Sequence, residues 1–415
     1  MMSSRSRFKY AAGFSAALFL ALIGGCDKKP GAEGGAGASA EQAEETVNPS
    51  TAFLDMADRQ AAEALKESPE FATSLGVSEE IAGENYNARL GDYGFEADQR
   101  AREINEQYLQ ELRSVDRSAL GGTSAITYDV LKVSYELGAR RNEFPFGGAV
   151  TWGVGSPYSV TQISGPHLYL PRLLLTQHPV DSKKNVEAYL SRLGEFSRVF
   201  DEVSQSLVSD AAQGVTPPAF AIDGAVTAIR VFTQAAPEEN PLVATLKEKM
   251  ESLDALTPEE RGEFAARAGD LVRDVVYPAY ARLSATLEGL KEQTGGDAGV
   301  WRLGEEGDAF YQLALNSYGA DGMTGDEIHE LGLSEVARIQ GEMDAIFKGM
   351  GMTEGSVADR FVALGARPDM VYPNTDEGRA ARRTQRTDQG TDGESAAMVR
   401  RHSAAIGRSA AHPRL

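Results

Sequence analysis

The sequence predicts a mostly α-helical protein: a multi-helix domain with long antiparallel helices and one irregular segment rich in Gly, Pro and aromatic residues. Three observations predict this class. From Pro49 onward apolar residues recur every three or four positions, capping motifs precede several of these stretches, and Gly follows them. The 415 residues are 42% hydrophobic, which is enough for a sizeable core. A single Cys excludes a disulfide scaffold.

Three shorter helices are predicted first, between residues 50 and 140. Their apolar stripes are Phe53, Ala57, Ala61 and Leu65; Ile104, Tyr108, Leu112 and Val115; and Ile126, Val130, Val133 and Leu137. Between the first two, Ser68 is expected to cap a short helix with its hydroxyl, because Pro69 suits the first helical position. Gly76 is expected to end that helix in a left-handed conformation.

Three longer helices follow. The first begins near Asp181 or Ser182 and ends at Gly214. A capping box at residues 257–260 opens the second, in which Pro278 is expected to produce a kink. Another box at residues 324–327 opens the third, which two glycines close near residue 350.

Residues 142–179 do not fit the helical pattern, because Gly, Pro and aromatic residues dominate them. Long irregular segments in compact domains are often functional. The alternative is a packed connector or a short hairpin between two helical halves. The sequence leaves both interpretations open.

The N-terminus is typical of an exported protein. Arg5, Arg7 and Lys9 precede an apolar run over residues 11–25, which is too short to span a membrane and matches a secretory signal peptide. The run ends at Cys26, and residues 22–26 resemble a bacterial lipobox, whose Cys receives the lipid. We therefore predict a signal peptide over residues 1–25 and lipidation of Cys26. The alternative is an ordinary signal in which this Cys occurs by chance.

Residues 26–49 are predicted to form a flexible tether, because they contain Gly, Ala, Glu and Ser and only one larger aliphatic residue, Val47. Such a tether would hold the folded part roughly 25–30 Å from the membrane. The expected location is the bacterial cell envelope, on the periplasmic side. Asp27 slightly favours the inner membrane, by resemblance to enterobacterial lipoproteins.

Composition and motifs assign no chemistry to the chain. The 41 basic and 61 acidic residues give a net charge of −20, so no nucleic-acid partner is expected. His329 and Glu330 begin like the zinc motif H-E-x-x-H, but Leu333 stands where the second His belongs. We interpret His329 as a surface or half-buried helix residue. Neither a nucleophile elbow nor a nucleotide-binding glycine loop is found, so no catalytic, metal-binding or cofactor-binding residue is predicted.

Four segments in order resemble a bacterial family catalogued as domain of unknown function 885. They are residues 68–76, 162–171, 277–280 and 327–339, and the resemblance spans about residues 50–378. It implies a largely helical fold similar to zinc metallopeptidases, with a His-Glu-x-x-Pro-Gly-His-His metal motif in the C-terminal half of the family. No stretch here matches that motif, so the resemblance implies only the N-terminal part, without zinc in this chain.

The last residues differ sharply in composition. Residues 379–415 carry a net charge of +5, with eight Arg and no Lys, whereas residues 26–378 carry −28. We predict a helical domain over residues 50–378 and a basic tail over residues 379–415. The tail is interpreted as out-of-frame translation that removed the catalytic half, or alternatively as a genuine disordered tail.

The sequence thus predicts a lipid-anchored envelope protein, whose only expected contacts are the membrane and the missing C-terminal half. It would be inactive as it stands, and zinc and a peptide substrate would belong to full-length relatives. The alternative is a non-catalytic lipoprotein that binds a ligand or partner through residues 142–179.

Overall fold

The computed structural model describes residues 48–319, 322–368 and 375–380, and these contain 14 α-helices and no β-strand. The predicted mostly α-helical class is confirmed. The chain divides into two compact units, Met1–Gly322 and Met323–Leu415. No helix in the described ranges is long and apolar enough to cross a membrane.

Twelve helices belong to the first unit. They are α1 (Pro49–Glu67), α2 (Pro69–Leu75), α3 (Glu79–Ala82), α4 (Phe95–Arg113), α5 (Gly122–Arg141), α6 (Pro166–Thr176), α7 (Lys183–Ala212), α8 (Ala219–Phe232), α9 (Pro241–Glu251), α10 (Pro258–Leu271), α11 (Tyr277–Lys291) and α12 (Gly304–Ser317).

Helix α7 runs through the main core of this unit. It begins after Ser182, whose hydroxyl accepts the backbone N–H of Asn185, as the sequence predicts. Its apolar face, which includes Leu193, Phe196 and Phe200, is completely buried. The same cluster contains apolar residues of α6, α8, α9, α10 and α11. Burial of this face accounts for much of the stability of the unit.

Helices α10 and α11 are joined by a π-helical turn, Val272–Val276, which ends two residues before Pro278. The predicted capping box at Thr257 and Glu260 opens α10, and it is confirmed. Pro278 lacks an N–H, and its ring crowds the carbonyl one turn earlier. The sequence predicts a kink in this region. The structure has a wider π turn there, where the backbone departs from α-helical geometry.

Two expectations about the N-terminal helices are wrong in detail. Ser68 precedes α2, but its hydroxyl makes no capping hydrogen bond, whereas Gly76 ends the helix with a φ of +65° as expected. Helix α5 forms, yet Ile126 and Val133 of the predicted stripe are 65% and 56% exposed. The buried face instead carries Tyr128 and Tyr135, whose rings bury more area, and the Tyr135 hydroxyl donates to the buried side chain of Gln60.

Part of the predicted irregular segment is also helical. Residues 142–165 are irregular, but Pro166 opens α6, which extends to Thr176. Pro at the first helical position has no N–H to leave unpaired, and leucines at three- and four-residue spacing then bury one face. The apolar period is present but only 11 residues long, and it follows a stretch rich in Gly and aromatic residues.

The second unit contains α13 (Gly325–Gly349) and α14 (Val357–Gly365). The predicted capping box of Thr324 and Glu327 opens α13 and is confirmed. In α14, the guanidinium of Arg360 donates a 2.6 Å hydrogen bond to Asp344 of α13 and lies over the ring of Phe347. These contacts pack the two helices together.

Candidate ligand-binding cavity

A cavity of about 710 Å³ lies in the first unit, between α4 and the irregular segment. Residues 147–156 form one continuous wall. Charged side chains in the lining are Glu67, Asp92, Asp98 and Arg100, and aromatic ones are Tyr93, Trp152, Tyr158 and Tyr169. The segment singled out by composition therefore lines this cavity.

The wall requires glycine. Gly147, Gly148, Gly153 and Gly155 have φ values between +67° and +75°, which other residues rarely adopt. At Gly147 a Cβ atom would also lie 2.6 Å from the Ser156 carbonyl oxygen. At Gly153, in contrast, no atom lies within 4 Å of that position. Conformation is thus the constraint at Gly153, and conformation plus close packing at Gly147.

Side-chain amides, rather than a neighbouring β-strand, make hydrogen bonds to the backbone of this wall. Asn142 makes two 2.8 Å hydrogen bonds to the backbone of Val150, accepting from its N–H and donating to its carbonyl. Asn105 of α4 donates to the carbonyl of Thr151 at 2.8 Å. Each such bond satisfies a backbone group that would otherwise lie unpaired in a partly buried loop. The wall is therefore an ordered part of the cavity.

Two carboxylates fix the glycine turn at one end of the wall. Asp210 of α7 accepts the N–H of Gly147, and Asp98 of α4 accepts the N–H of Ala149, both at 3.1 Å. Burial raises the pKa of Asp98, and it raises the pKa of Asp210 to about 6. Nearby Arg141 opposes both shifts by its positive charge.

Arg141 itself is fully buried, and burial lowers its pKa to about 10. It donates a 2.6 Å hydrogen bond to the Phe146 carbonyl, and it lies 5.3 Å from the centroid of the Phe310 ring. The charged group thus supports the glycine turn from the core side.

Tyr93 and Tyr169 also line the cavity, with ring centroids 6.4 Å apart. The hydroxyl of Tyr93 donates to Glu70 at 3.2 Å, and its backbone N–H donates to Glu202 at 2.8 Å. Burial raises the pKa of Glu70. These bonds hold the Tyr93 ring in position.

Two buried histidines were not singled out from the sequence. His167 is 3% exposed, neither ring nitrogen has a hydrogen-bond partner among the described residues, and burial lowers its pKa to about 4. His178 contacts Arg192 at 3.1 Å, and burial lowers its pKa to about 3. Both are neutral at physiological pH. The position of His167 after Gly165 and Pro166, inside a family-like segment, was the one available signal.

No group of three or more His, Cys, Asp and Glu side chains within the described ranges is arranged to hold a metal ion. His329 lies exposed on α13. Cys26, the predicted lipidation site, lies outside the described residues, as does most of the basic segment.

A family profile described as "Bacterial protein of unknown function (DUF885)" matches residues 69–410. The chain belongs to this DUF885 family. The match confirms the resemblance to this family, while the likeness to zinc metallopeptidases stays a prediction. It also includes residues 379–410 of the basic segment, for which the out-of-frame interpretation stays a prediction.

Among solved structures, this DUF885 chain is similar to a protein from Colwellia psychrerythraea described as a "putative lipoprotein". The TM-score is 0.71 and the sequence identity is 26%. The similarity covers 81% of this chain and 57% of the solved one, so this chain spans little more than half of that relative. No curated protein matches at a significant level.

Proposed function

We propose that this DUF885 protein is a lipid-anchored protein of the bacterial cell envelope that binds a small ligand through the irregular segment. The observation that carries the proposal is the 710 Å³ cavity, whose wall is built from residues 147–156. Its volume lies within the roughly 300–1,000 Å³ range of ligand sites in proteins. Aromatic faces together with a few charged groups are the usual lining of such sites.

Filling the cavity tests this proposal. Ala101 of α4 lines the cavity, so Ala101→Trp should occupy it, whereas Glu106→Trp places the same side chain on the exposed side of the same helix. Compounds that raise the melting temperature of the wild type should fail to stabilise Ala101→Trp and should still stabilise Glu106→Trp. Equal stabilisation of all three proteins would contradict binding in this cavity.

The lipid anchor is supported by residues 22–26 and by the description of the solved relative. A cell producing the wild type should incorporate labelled palmitate into the protein, and the Cys26→Ser variant should not. Gradient separation of the two membranes would show whether the inner membrane holds the anchor, as Asp27 favours. Equal labelling of the Cys26→Ser variant would contradict the assignment of Cys26.

A second candidate function is the N-terminal part of a zinc-dependent hydrolase, acting on peptides only in full-length relatives. The share of the solved relative that this chain covers, 57%, favours it. So do Leu331, Val336 and Ile346 of α13, which are 51%, 53% and 62% exposed. Such apolar surface is typical of an interface. In this proposal the missing half of the fold would cover it.

Zinc analysis tests the second candidate. This chain alone, dialysed against excess zinc and then buffer, should retain no stoichiometric zinc, and tight one-to-one binding would contradict the assignment. Sequencing the gene across residues 370–415 and translating all three frames should reveal the family metal motif if the tail is out of frame.

A further inference from the structure

The charged groups that line the cavity are not balanced. Three carboxylates, Glu67, Asp92 and Asp98, face a single guanidinium, that of Arg100. Arg100 already pairs with Asp92 at 2.6 Å and with Glu67 at 3.5 Å. Asp92 also forms an ion pair with Arg198 at 3.0 Å. Asp98 is therefore the lining carboxylate that makes no ion pair among the described residues.

Asp98 also keeps one oxygen uncommitted. Its Oδ1 atom accepts the N–H of Ala149, while Oδ2 accepts no hydrogen bond from any described group. A carboxylate oxygen has room for about two such bonds. The charges of Arg102 and Arg141 stabilise the ionised form, yet burial dominates and raises the pKa of Asp98. The cavity wall thus contains the partly desolvated carboxylate of Asp98, whose Oδ2 atom can still accept a hydrogen bond.

Aromatic rings line the same cavity. Trp152, Tyr93 and Tyr169 are half-buried residues of this lining, and the ring centroid of Tyr158 lies 5.6 Å from the guanidinium carbon of Arg302. The face of an aromatic ring attracts a cation, most strongly for Trp. Gly148 lies beside Asp98, where a Cβ atom would come within 3.4 Å of the Asp98 Oδ1 atom.

We propose that the cavity selects a small organic cation, such as a primary amine or a guanidinium compound, with Asp98 as the charged partner and the aromatic rings as its apolar walls. This assignment rests on the proposed function, since it names the class of ligand that the same cavity takes. Asp98 determines specificity for charge, and a neutral or anionic compound of equal shape binds more weakly because it leaves the carboxylate uncompensated.

Three probes of nearly equal size test the charge preference: benzylamine, benzyl alcohol and benzoate. Their dissociation constants are measured by ligand-observed NMR at pH 7.5 and low salt. Wild-type protein should bind benzylamine at least about tenfold more tightly than the other two, corresponding to about 1.4 kcal/mol. This comparison needs no variant, so it does not depend on whether a substitution folds.

Asp98→Asn should lose that preference while keeping an oxygen to accept the Ala149 N–H. Glu96→Gln is the matched control, because it removes the same charge from an exposed position two residues away that does not line the cavity. It should bind the probes as the wild type does. Circular dichroism of each variant verifies folding.

The outcomes separate the two proposals. Binding of benzyl alcohol or benzoate as tight as that of benzylamine, abolished by Ala101→Trp, would overturn the charge assignment and leave the cavity as a ligand site. A benzylamine preference retained in Asp98→Asn would overturn the role of Asp98. Binding that Ala101→Trp does not change would contradict the cavity itself.

Discussion

Helix α7 and the irregular wall of the cavity achieve order by different means. Helix α7 buries a continuous apolar face against five neighbouring helices, and its backbone groups are satisfied within the helix. The wall over residues 147–156 contains no helix or strand. Left-handed glycines let its backbone turn, and Asn and Asp side chains hydrogen-bond to its backbone groups. Apolar burial thus forms the scaffold, whereas polar contacts from distant residues shape the cavity.

The largest effect is expected in the scaffold. Phe200 of α7 is fully buried against Tyr280, with ring centroids 4.7 Å apart. Phe200→Ala should lower the free energy of unfolding by about 3–5 kcal/mol, because it removes a buried ring and leaves a cavity. Val208→Ala on the same helix, where the side chain is 54% exposed, should cost less than about 0.5 kcal/mol. Urea denaturation measures both, and comparable losses would contradict this account of α7.

Next in size is a pair of substitutions in the wall. Gly147→Ala should destabilise the protein by roughly 2–4 kcal/mol, since it adds steric overlap to a left-handed conformation. Gly153→Ala meets only the conformational cost of about 1–2 kcal/mol, because its surroundings are open. Thermal unfolding of the two variants compares these costs. Equal destabilisation would mean that close packing at Gly147 contributes nothing.

A smaller effect should appear in the pH dependence of stability. The pKa of Asp210 is about 6 in the folded protein against an ordinary value of 3.8, so the folded state binds this proton more tightly. This group therefore lowers the free energy of unfolding as the pH rises from about 4 to about 6. Asp98 and Arg141 act on the same carboxyl with opposite signs, and the Gly147 N–H is its hydrogen-bond donor.

Asp210→Asn keeps an acceptor for the Gly147 N–H and removes the titration. Relative to the wild type, this variant should gain about 1–3 kcal/mol in unfolding free energy between pH 4.5 and pH 7.5. Urea denaturation at both pH values measures the change. A difference between the two proteins that stays constant with pH would rule out Asp210 as the titrating group.

Periodicity and capping motifs predicted the scaffold because its stabilising contacts follow the local sequence. The starts of α7, α10 and α13 agree with their capping residues. The buried face of α5 was missed because aliphatic residues were weighted above tyrosines, and the Tyr135 hydroxyl finds its partner, Gln60, on another helix. Helix α6 was missed because its 11 residues adjoin a stretch rich in glycine.

The cavity was predictable only as a segment of unusual composition. Its polar contacts join residues far apart in the sequence: Asn105 reaches Thr151, and Asp210 reaches Gly147. No local sequence pattern predicts a hydrogen bond between residues so far apart. The free oxygen of Asp98 is likewise a property of the assembled site, because it depends on which cations the other carboxylates have already engaged.

The most direct test of the central claim is fluorine NMR of protein labelled with 5-fluorotryptophan. The chain has two Trp residues: Trp152 lines the cavity and Trp301 lies 61% exposed outside the lining. The Trp301→Phe variant assigns the two signals. Addition of benzylamine should shift the Trp152 signal saturably and leave the Trp301 signal unchanged. A saturable shift at Trp301 alone, or no shift at either residue, would contradict ligand binding in this cavity.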